Sequence, residues 1–436
     1  MIVIIASLFG IDIYQKNIIR TFDGYIYNYD DQVTLIDDNG SIYNFNIDKE
    51  LINSGDTGLM IGNKAHLEYK GQIQTNYIEQ DIEVIKLEVY DYEAYKKDDV
   101  VSDETLALQY LNNMTLSQKV GQMFFVLVDE NTAIDEIIEY DLGGVLLFYK
   151  DFKDKTKLEV IDMINNYQNV SMIPMFIGVD EEGGDVNRVS LNEELCEEPF
   201  KSPSELFNEG GFDLIISDTY NKINLLKELG ININFAPVAD ISLNENNYIH
   251  NRTFKADANK TAAYIKIVSS IMSENHFGSV LKHFPGYGDN IDTHSEIAID
   301  NRDLNSFYNT DFKPFIEGIK ANATMVLMSH NIIKNVEDVP ASLSIKMHEI
   351  LRNDLNFDGI IITDDLAMKG IMNLYGEKEA AIRAIKAKND MICTTDYREM
   401  IDAVIEAIND GEIDVELIDE AVLRILNMKI DLGIIH

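Results

Sequence analysis

Gly359-Ile360-Ile361-Ile362-Thr363-Asp364-Asp365 is a short apolar run that stops on two carboxylates. It is one of eight such runs beyond Asp103; the others are Met123–Val128, Gly144–Phe148, Met175–Asp180, Ile233–Asp240, Ser279–Phe284, Met325–His330 and Asp390–Thr395. Amphipathic helical patterns lie between most of them, for example Lys157–Tyr167, Asp257–Asn275 and Lys378–Ala387, with a last helix expected at about Val415–Met428. Strands alternating with helices in this number predict an α/β fold, a (β/α)8 TIM-like barrel. A doubly wound open sheet is the alternative, although no G-x-G-x-x-G follows any of the runs.

Most of the runs end at or beside a polar or charged residue: Asp180, Asp240, His283, His330, Asp364-Asp365 and Asp396. In a barrel those ends share one face, and that face carries the active site. In an open sheet the same residues would line a crevice. They converge on either reading.

Residues 1–97 follow a different rhythm. Tyr43, Phe45 and Ile47 alternate with Asn44 and Asn46, the period of a half-buried strand. Asn39-Gly40 separates that segment from Val33-Thr34-Leu35-Ile36, a hairpin signal. Gly24–Tyr29, Ala65–Tyr69 and Glu83–Tyr90 are strand-like as well. The expected organisation is a small all-β domain at 1–97, a linker at 98–104 inside the charged stretch Glu93–Glu104, and a catalytic barrel at 105–436. Ile2–Phe9 is apolar but too short to span a bilayer, and no Lys or Arg precedes Lys16. It reads as a first β-strand; its other reading is the remnant of a signal or anchor.

The chain of 436 residues carries 36 Lys+Arg against 75 Asp+Glu, a formal charge of −39. That argues against nucleic acid as a partner and against docking on an anionic membrane surface, since both need clustered cations. An apolar fraction of 46% is ordinary for a globular protein. Cys196 and Cys393 are too few for a disulfide framework or a cysteine zinc site. No His/Cys/carboxylate cluster has metal-ligand spacing, so no cofactor is expected.

Three segments carry the chemistry: Leu281-Lys282-His283-Phe284-Pro285-Gly286-Tyr287-Gly288 followed by Asp292-Thr293-His294, then Gly359–Asp365, and Gly178-Val179-Asp180-Glu181-Glu182-Gly183-Gly184 with Arg188 soon after. Asn234-Phe235-Ala236-Pro237-Val238-Ala239-Asp240, Asn251-Arg252-Thr253-Phe254 and Ala341-Ser342-Leu343-Ser344 accompany them in order. From about Met114 to the C-terminus the chain resembles the family 3 glycoside hydrolases, in particular their bacterial β-N-acetylglucosaminidase subgroup. Residues 1–100 lie outside the resemblance.

A retaining glycosidase needs a carboxylate that attacks the anomeric carbon and forms a covalent glycosyl-enzyme. The resemblance gives that role to the Asp directly after the Thr, Asp364, and leaves Asp365 a capping or supporting role. It gives the proton transfer to His294, paired with Asp292 two residues earlier. An imidazole titrating near pH ~6.5 can donate and then accept a proton near neutrality, and a neighbouring carboxylate fixes its tautomer. The resemblance also implies a clamp on a non-reducing GlcNAc: Lys282, His283, Arg188 and Arg252 as donors and Asp180 as acceptor. His330, which ends the sixth run, is expected at the same mouth in a supporting role. The implied partner is a carbohydrate, a GlcNAc-containing glycan or muropeptide. Trp is absent, so any sugar-stacking platform must use Tyr or Phe.

Three positions depart from the family pattern. Tyr287 stands where the K-H-F-P-G-H-G form has His, the loop from Gly288 to Asp292 is one residue shorter, and Asp185 replaces a common basic residue. The leading expectation is an exo-acting, retaining β-N-acetylglucosaminidase of peptidoglycan or muropeptides. The alternatives are a β-N-acetylglucosaminide phosphorylase and a non-catalytic wall-binding protein. A wall-directed enzyme with an added domain points to export, and a cytoplasmic recycling enzyme is the other possibility.

Overall fold

The structure, a computed structural model, describes residues 19–28, 33–36, 42–53, 64–70, 73, 82–90, 103–288 and 297–435. The chain divides into two compact units, one within residues 1–102 and one at 103–435.

The first unit holds a six-stranded sheet in the order β3-β2-β1-β5-β6-β4. Its strands are β1 (Ile19–Asn28), β2 (Val33–Ile36), β3 (Ile42–Phe45), β4 (Ile52–Asn53), β5 (Lys64–Lys70) and β6 (Glu83–Tyr90). β2 and β3 pair antiparallel, Val33 opposite Phe45 and Leu35 opposite Tyr43. Alternate side chains therefore share a face, and Val33, Leu35, Tyr43, Phe45, Leu67 and Leu87 are buried in one cluster. Phe22 closes on Tyr43 edge-on at 5.0 Å. The Asn39-Gly40 turn and the Ile2–Phe9 run lie outside the described residues.

The second unit is built on eight parallel strands: β7 (Phe124–Val126), β8 (Gly144–Leu147), β9 (Phe176–Val179), β10 (Ile233–Asn234), β11 (Gly278–Phe284), β13 (Met325–Met328), β15 (Ile360–Thr363) and β16 (Ile392–Thr394). β12 (Ile299–Asp300) and β14 (Ile332–Ile333) pair separately. Each barrel strand falls on one of the eight apolar runs. β16 pairs with β7, and a bridge between Ile362 and Met391 joins it to β15. The sheet is thus a closed barrel, and the open-sheet alternative is set aside. At the closing seam Asp390 accepts the Ile361 N–H at 2.7 Å and is held by Arg352 and Arg424.

The strands are covered on both sides, by helices outside and by interdigitated side chains within. Gly144 and Gly178 make room for that interior: a Cβ at either would come within 2.8 Å or 2.7 Å of the Phe125 ring. Phe125 in turn meets Phe235 edge-on at 5.1 Å. The helices begin where the sequence supplies caps. Lys157–Val170 opens with a Thr156–Glu159 capping box, and Asp257 and Asp414 cap Ala258–Glu274 and Val415–Asp431.

Two expectations need correction. The linker was expected to run to Glu104, but the helix Asp103–Asn113 starts inside it. Ile233–Asp240 is regular only at Ile233–Asn234. Beyond Asn234 the run carries Pro237, which has no N–H to give to a ladder. It stays beside β11 through the Val238–Lys282 bridge and the Ala239 N–H to Lys282 O bond.

Candidate active site

The C-terminal ends of the barrel strands deliver the chemistry to one face. Asp180 lies one residue beyond β9, Lys282 and His283 lie near the end of β11, and Asp364 lies one residue beyond β15. Arg188 comes from the loop after β9, and Arg252 closes a short 3-10 turn, His250–Arg252. All six side chains line one cleft of about 410 Å³, within the size range of small-ligand sites.

One wall of the cleft is a chain of alternating charges. Lys282 Nζ donates to Asp180 at 2.5 Å and pairs with Glu182 at 2.7 Å. Arg252 meets the same Glu182 in a two-pronged contact, at 2.7 and 3.1 Å. Lys282 and Glu182 are almost fully buried. Burial works against the Glu182 charge, but Arg252 and Lys282 overcome it and hold the carboxyl well below the usual carboxylate range. Burial likewise opposes the Arg252 charge, and Glu182 outweighs it, so the guanidinium is held above its ordinary value.

His283 is oriented from both sides. Arg252 Nη2 approaches its Nε2 at 3.2 Å, and a guanidinium can only donate. Nε2 is therefore the acceptor, and Nδ1–H donates to Asp240 at 2.6 Å. Asp240 also accepts the backbone N–H of His283 at 3.0 Å and of Tyr287 at 2.7 Å. One buried carboxylate thus sets both the imidazole and the turn that follows it.

Arg188 is placed differently. Its guanidinium lies over Phe148, 5.2 Å from the ring centroid, and Nη1 donates to the Asn187 carbonyl at 3.2 Å. Among the described residues no carboxylate pairs with it, and its Nε is buried without an acceptor. The loop that carries it is fixed by Glu181, whose fully buried carboxylate accepts the N–H groups of Arg188, Val189 and Ser190. Asn234 ties Glu181 to the next strand by accepting its N–H and donating to its carbonyl, both at 3.0 Å.

The two carboxylates after β15 have separate environments. Asp365 accepts the Ala367 N–H at 2.8 Å and the Thr395 hydroxyl at 3.1 Å. Burial pushes its pKa up, with the Asp364 charge adding to the effect. Asp365 is thus engaged with the turn that follows it, while Asp364 faces the cleft and takes the Asp365 N–H at 2.9 Å. His330, fully buried, bonds the Asp365 carbonyl at 3.0 Å and Ser342 at 2.8 Å. It holds the turn after Asp364 from behind and does not line the cleft. Asp292 and His294 lie outside the described residues, in 289–296.

Sequence reading missed Glu181, Glu182 and Asp240 as site residues. All three are buried carboxylates that serve the cleft from behind. The signal was present for Asp240, which ends an apolar run, and for the Glu181-Glu182 pair beside Asp180. Among the described residues no group of three His, Cys, Asp or Glu side chains is arranged to hold a metal ion, and no helix is long and apolar enough to cross a membrane.

Residues 115–428 match the family described as glycosyl hydrolase family 3 N terminal domain. A β-hexosaminidase of Thiobacillus denitrificans is 30% identical over 269 residues, covering 61% of this chain and 74% of that protein. A family 3 β-N-acetylglucosaminidase from Paenibacillus sp. str. FPU-7 superposes with a TM-score of 0.68 at 28% identity, covering 74% of this chain and 63% of that one. M tuberculosis LpqI superposes with the same TM-score at 26% identity and is covered over 96% of its length. The chain spans less than two thirds of the Paenibacillus protein.

Proposed function

The chain belongs to glycosyl hydrolase family 3, and on that premise we propose that it is an exo-acting, retaining β-N-acetylglucosaminidase that removes non-reducing terminal GlcNAc. The observation that carries the reading is the cleft itself: a carboxylate, Asp364, at the end of β15, facing a wall of oriented donors and one acceptor. That combination suits the activity for which the similar proteins are named, β-hexosaminidase.

In the proposed reaction Asp364 attacks the anomeric carbon while His294 gives its proton to the departing oxygen. The product is a glycosyl-enzyme and a free aglycone. His294, now neutral, takes a proton from a water whose oxygen attacks the same carbon, and Asp364 leaves as carboxylate. Asp292 fixes the imidazole. Lys282, Arg252 and Arg188 donate to sugar hydroxyls and carbonyl, Asp180 accepts from the hydroxyls, and His283 lies beside them with its one N–H held by Asp240. The buried ion-pair wall supports a terminal sugar held against a closed surface. The proposed natural substrates are muropeptides or peptidoglycan, in line with the family resemblance.

The test is release of GlcNAc from an aryl β-GlcNAc glycoside. Asp364→Asn is expected to abolish turnover while leaving the fold intact by circular dichroism, and a slow fluoro-sugar is expected to label the peptide containing Asp364. Turnover near that of the parent enzyme in Asp364→Asn would sink the nucleophile assignment. Running the assay in phosphate identifies the acceptor: free GlcNAc means hydrolysis, and GlcNAc-1-phosphate means phosphorolysis.

A further inference from the structure

Two cations of the cleft wall, Lys282 and Arg252, share one carboxylate, Glu182. Glu182 therefore needs an anchor of its own. The residues that follow it give none by side-chain packing, because they are Gly183 and Gly184, both at positive φ (98° and 69°). A Cβ on Gly183 would come within 2.3 Å of the Lys201 carbonyl oxygen, so no larger residue fits there.

The turn is held through its backbone instead. The Glu182 and Gly183 N–H groups donate to the Val186 carbonyl at 3.0 and 3.1 Å, and the Gly184 N–H donates to the Phe200 carbonyl at 2.8 Å. The Glu182 carbonyl takes a third cation: Lys222 Nζ donates to it at 3.1 Å. Lys222 is not among the residues that line the cleft. It reaches the turn from the helix Pro203–Glu228, beyond the break at Gly210-Gly211, and is 9% exposed. Asp218, one helical turn earlier, pairs with its Nζ at 2.8 Å, and the Phe200 ring centroid lies 5.2 Å from it. Gly183 gives the ammonium room, since a Cβ there would stand 3.1 Å from Nζ.

Glu182 is thus gripped at both ends, by two cleft cations through its carboxylate and by Lys222 through its main chain. A main-chain shift at Glu182 moves the carboxylate, and with it Lys282 and Arg252. Displacements of about 1 Å in groups that hold a substrate cost up to ~100-fold.

We propose that Lys222 is a positioning residue for sugar binding, acting through the Glu182 carbonyl to hold Lys282 and Arg252 where the terminal sugar meets them. This rests on the glycosidase reading above and extends its site to a residue on the surrounding helix layer.

The experiment compares the parent enzyme with Asp218→Asn, Lys222→Arg and the double variant Asp218→Asn/Lys222→Met. Asp218→Asn leaves the bond from Lys222 to the Glu182 carbonyl in place. The double variant removes that bond without leaving an unpaired buried carboxylate. For each, kcat and KM are measured on an aryl β-GlcNAc glycoside, and the Kd of GlcNAc by calorimetry. KM and Kd describe the folded molecules alone, so a partly unfolded sample does not imitate the effect. Asp218→Asn and Lys222→Arg keep a donor at the carbonyl and are expected to stay within about threefold of the parent in KM and Kd. The double variant is expected to raise both about tenfold, the size of one hydrogen bond from a charged donor, with kcat changed by less than about threefold. Parent values of KM and Kd in the double variant overturn the positioning role, and so does a tenfold rise in Asp218→Asn or Lys222→Arg. A parent enzyme that neither binds nor releases GlcNAc overturns the glycosidase reading instead, so the two failures are separable.

Discussion

At the scale of single residues, the cleft divides carboxylates into those offered to a ligand and those consumed by the protein. Asp364 and Asp180 face the cleft, whereas Glu181, Glu182 and Asp240 spend their oxygens on backbone N–H groups and cations behind it. Glu182 is the sharpest case, because two cations share it in a nearly dry site. Removing one member of such a group leaves charge uncompensated. Glu182→Gln is expected to cost about 3–5 kcal/mol of stability, read by urea unfolding, and to lower kcat/KM because Lys282 and Arg252 lose their fixed positions. Unchanged urea midpoint and kcat/KM would show that the pair is not a support. This division also explains what the amino-acid letters hide. A carboxylate at a strand end looks the same whether it will bind substrate or tie down a loop; Asp240 and Asp364 both follow apolar runs, and only the partners tell them apart.

At the scale of elements, the eight strands were legible because each is a short apolar run buried on both faces, and the closed parallel barrel follows from their alternation with helices. Ile233–Asp240 was less legible in detail, since its apolar letters continue past Pro237 while regular pairing does not. The helix Asp103–Asn113 was hidden inside a charged stretch whose composition resembles a linker. The last helix, Val415–Asp431, contains a residue the pattern did not mark at all. Lys429 is fully buried, its Nζ donating to Gln122 at 2.7 Å and lying over the Phe176 ring at 5.1 Å. Burial pushes its pKa down to about 7. The unfolded chain keeps the ordinary lysine value of about 10.4, so between the two it binds more protons than the folded one. Stability therefore rises with pH across that window and is lowest below pH about 7, where both states carry the charge. Lys429→Met is expected to stabilise the protein, most strongly below neutral pH, and to flatten the unfolding free energy between pH 7 and 10. Chemical unfolding at pH 6, 8 and 10 checks it; a parallel pH profile for the variant contradicts it.

At the scale of the whole molecule, the two units have separate hydrophobic clusters, and every described residue of the cleft comes from the second. A protein comprising residues 103–436 is expected to fold and to retain kcat/KM on an aryl β-GlcNAc within about threefold of the full chain. Measured turnover on that small substrate decides the point, and loss of activity in a folded fragment would assign the first unit a part in catalysis. The charge of −39 belongs to this scale as well. It does not describe the cleft, whose lining includes three cations, Arg188, Arg252 and Lys282. The closed ring has one more consequence. A barrel presents no edge strand to solvent, so the isoleucine-rich backbone of β15 has no free N–H or C=O row to offer another chain. Its closure with β16 relies on the Ile362–Met391 bridge and on Asp390, which substitutes a carboxylate for a missing backbone partner. Parting that seam would turn Ile360-Ile361-Ile362 into an exposed template for intermolecular pairing. Asp390 and its two arginines therefore guard solubility, keeping the strand that positions the nucleophile from seeding aggregation.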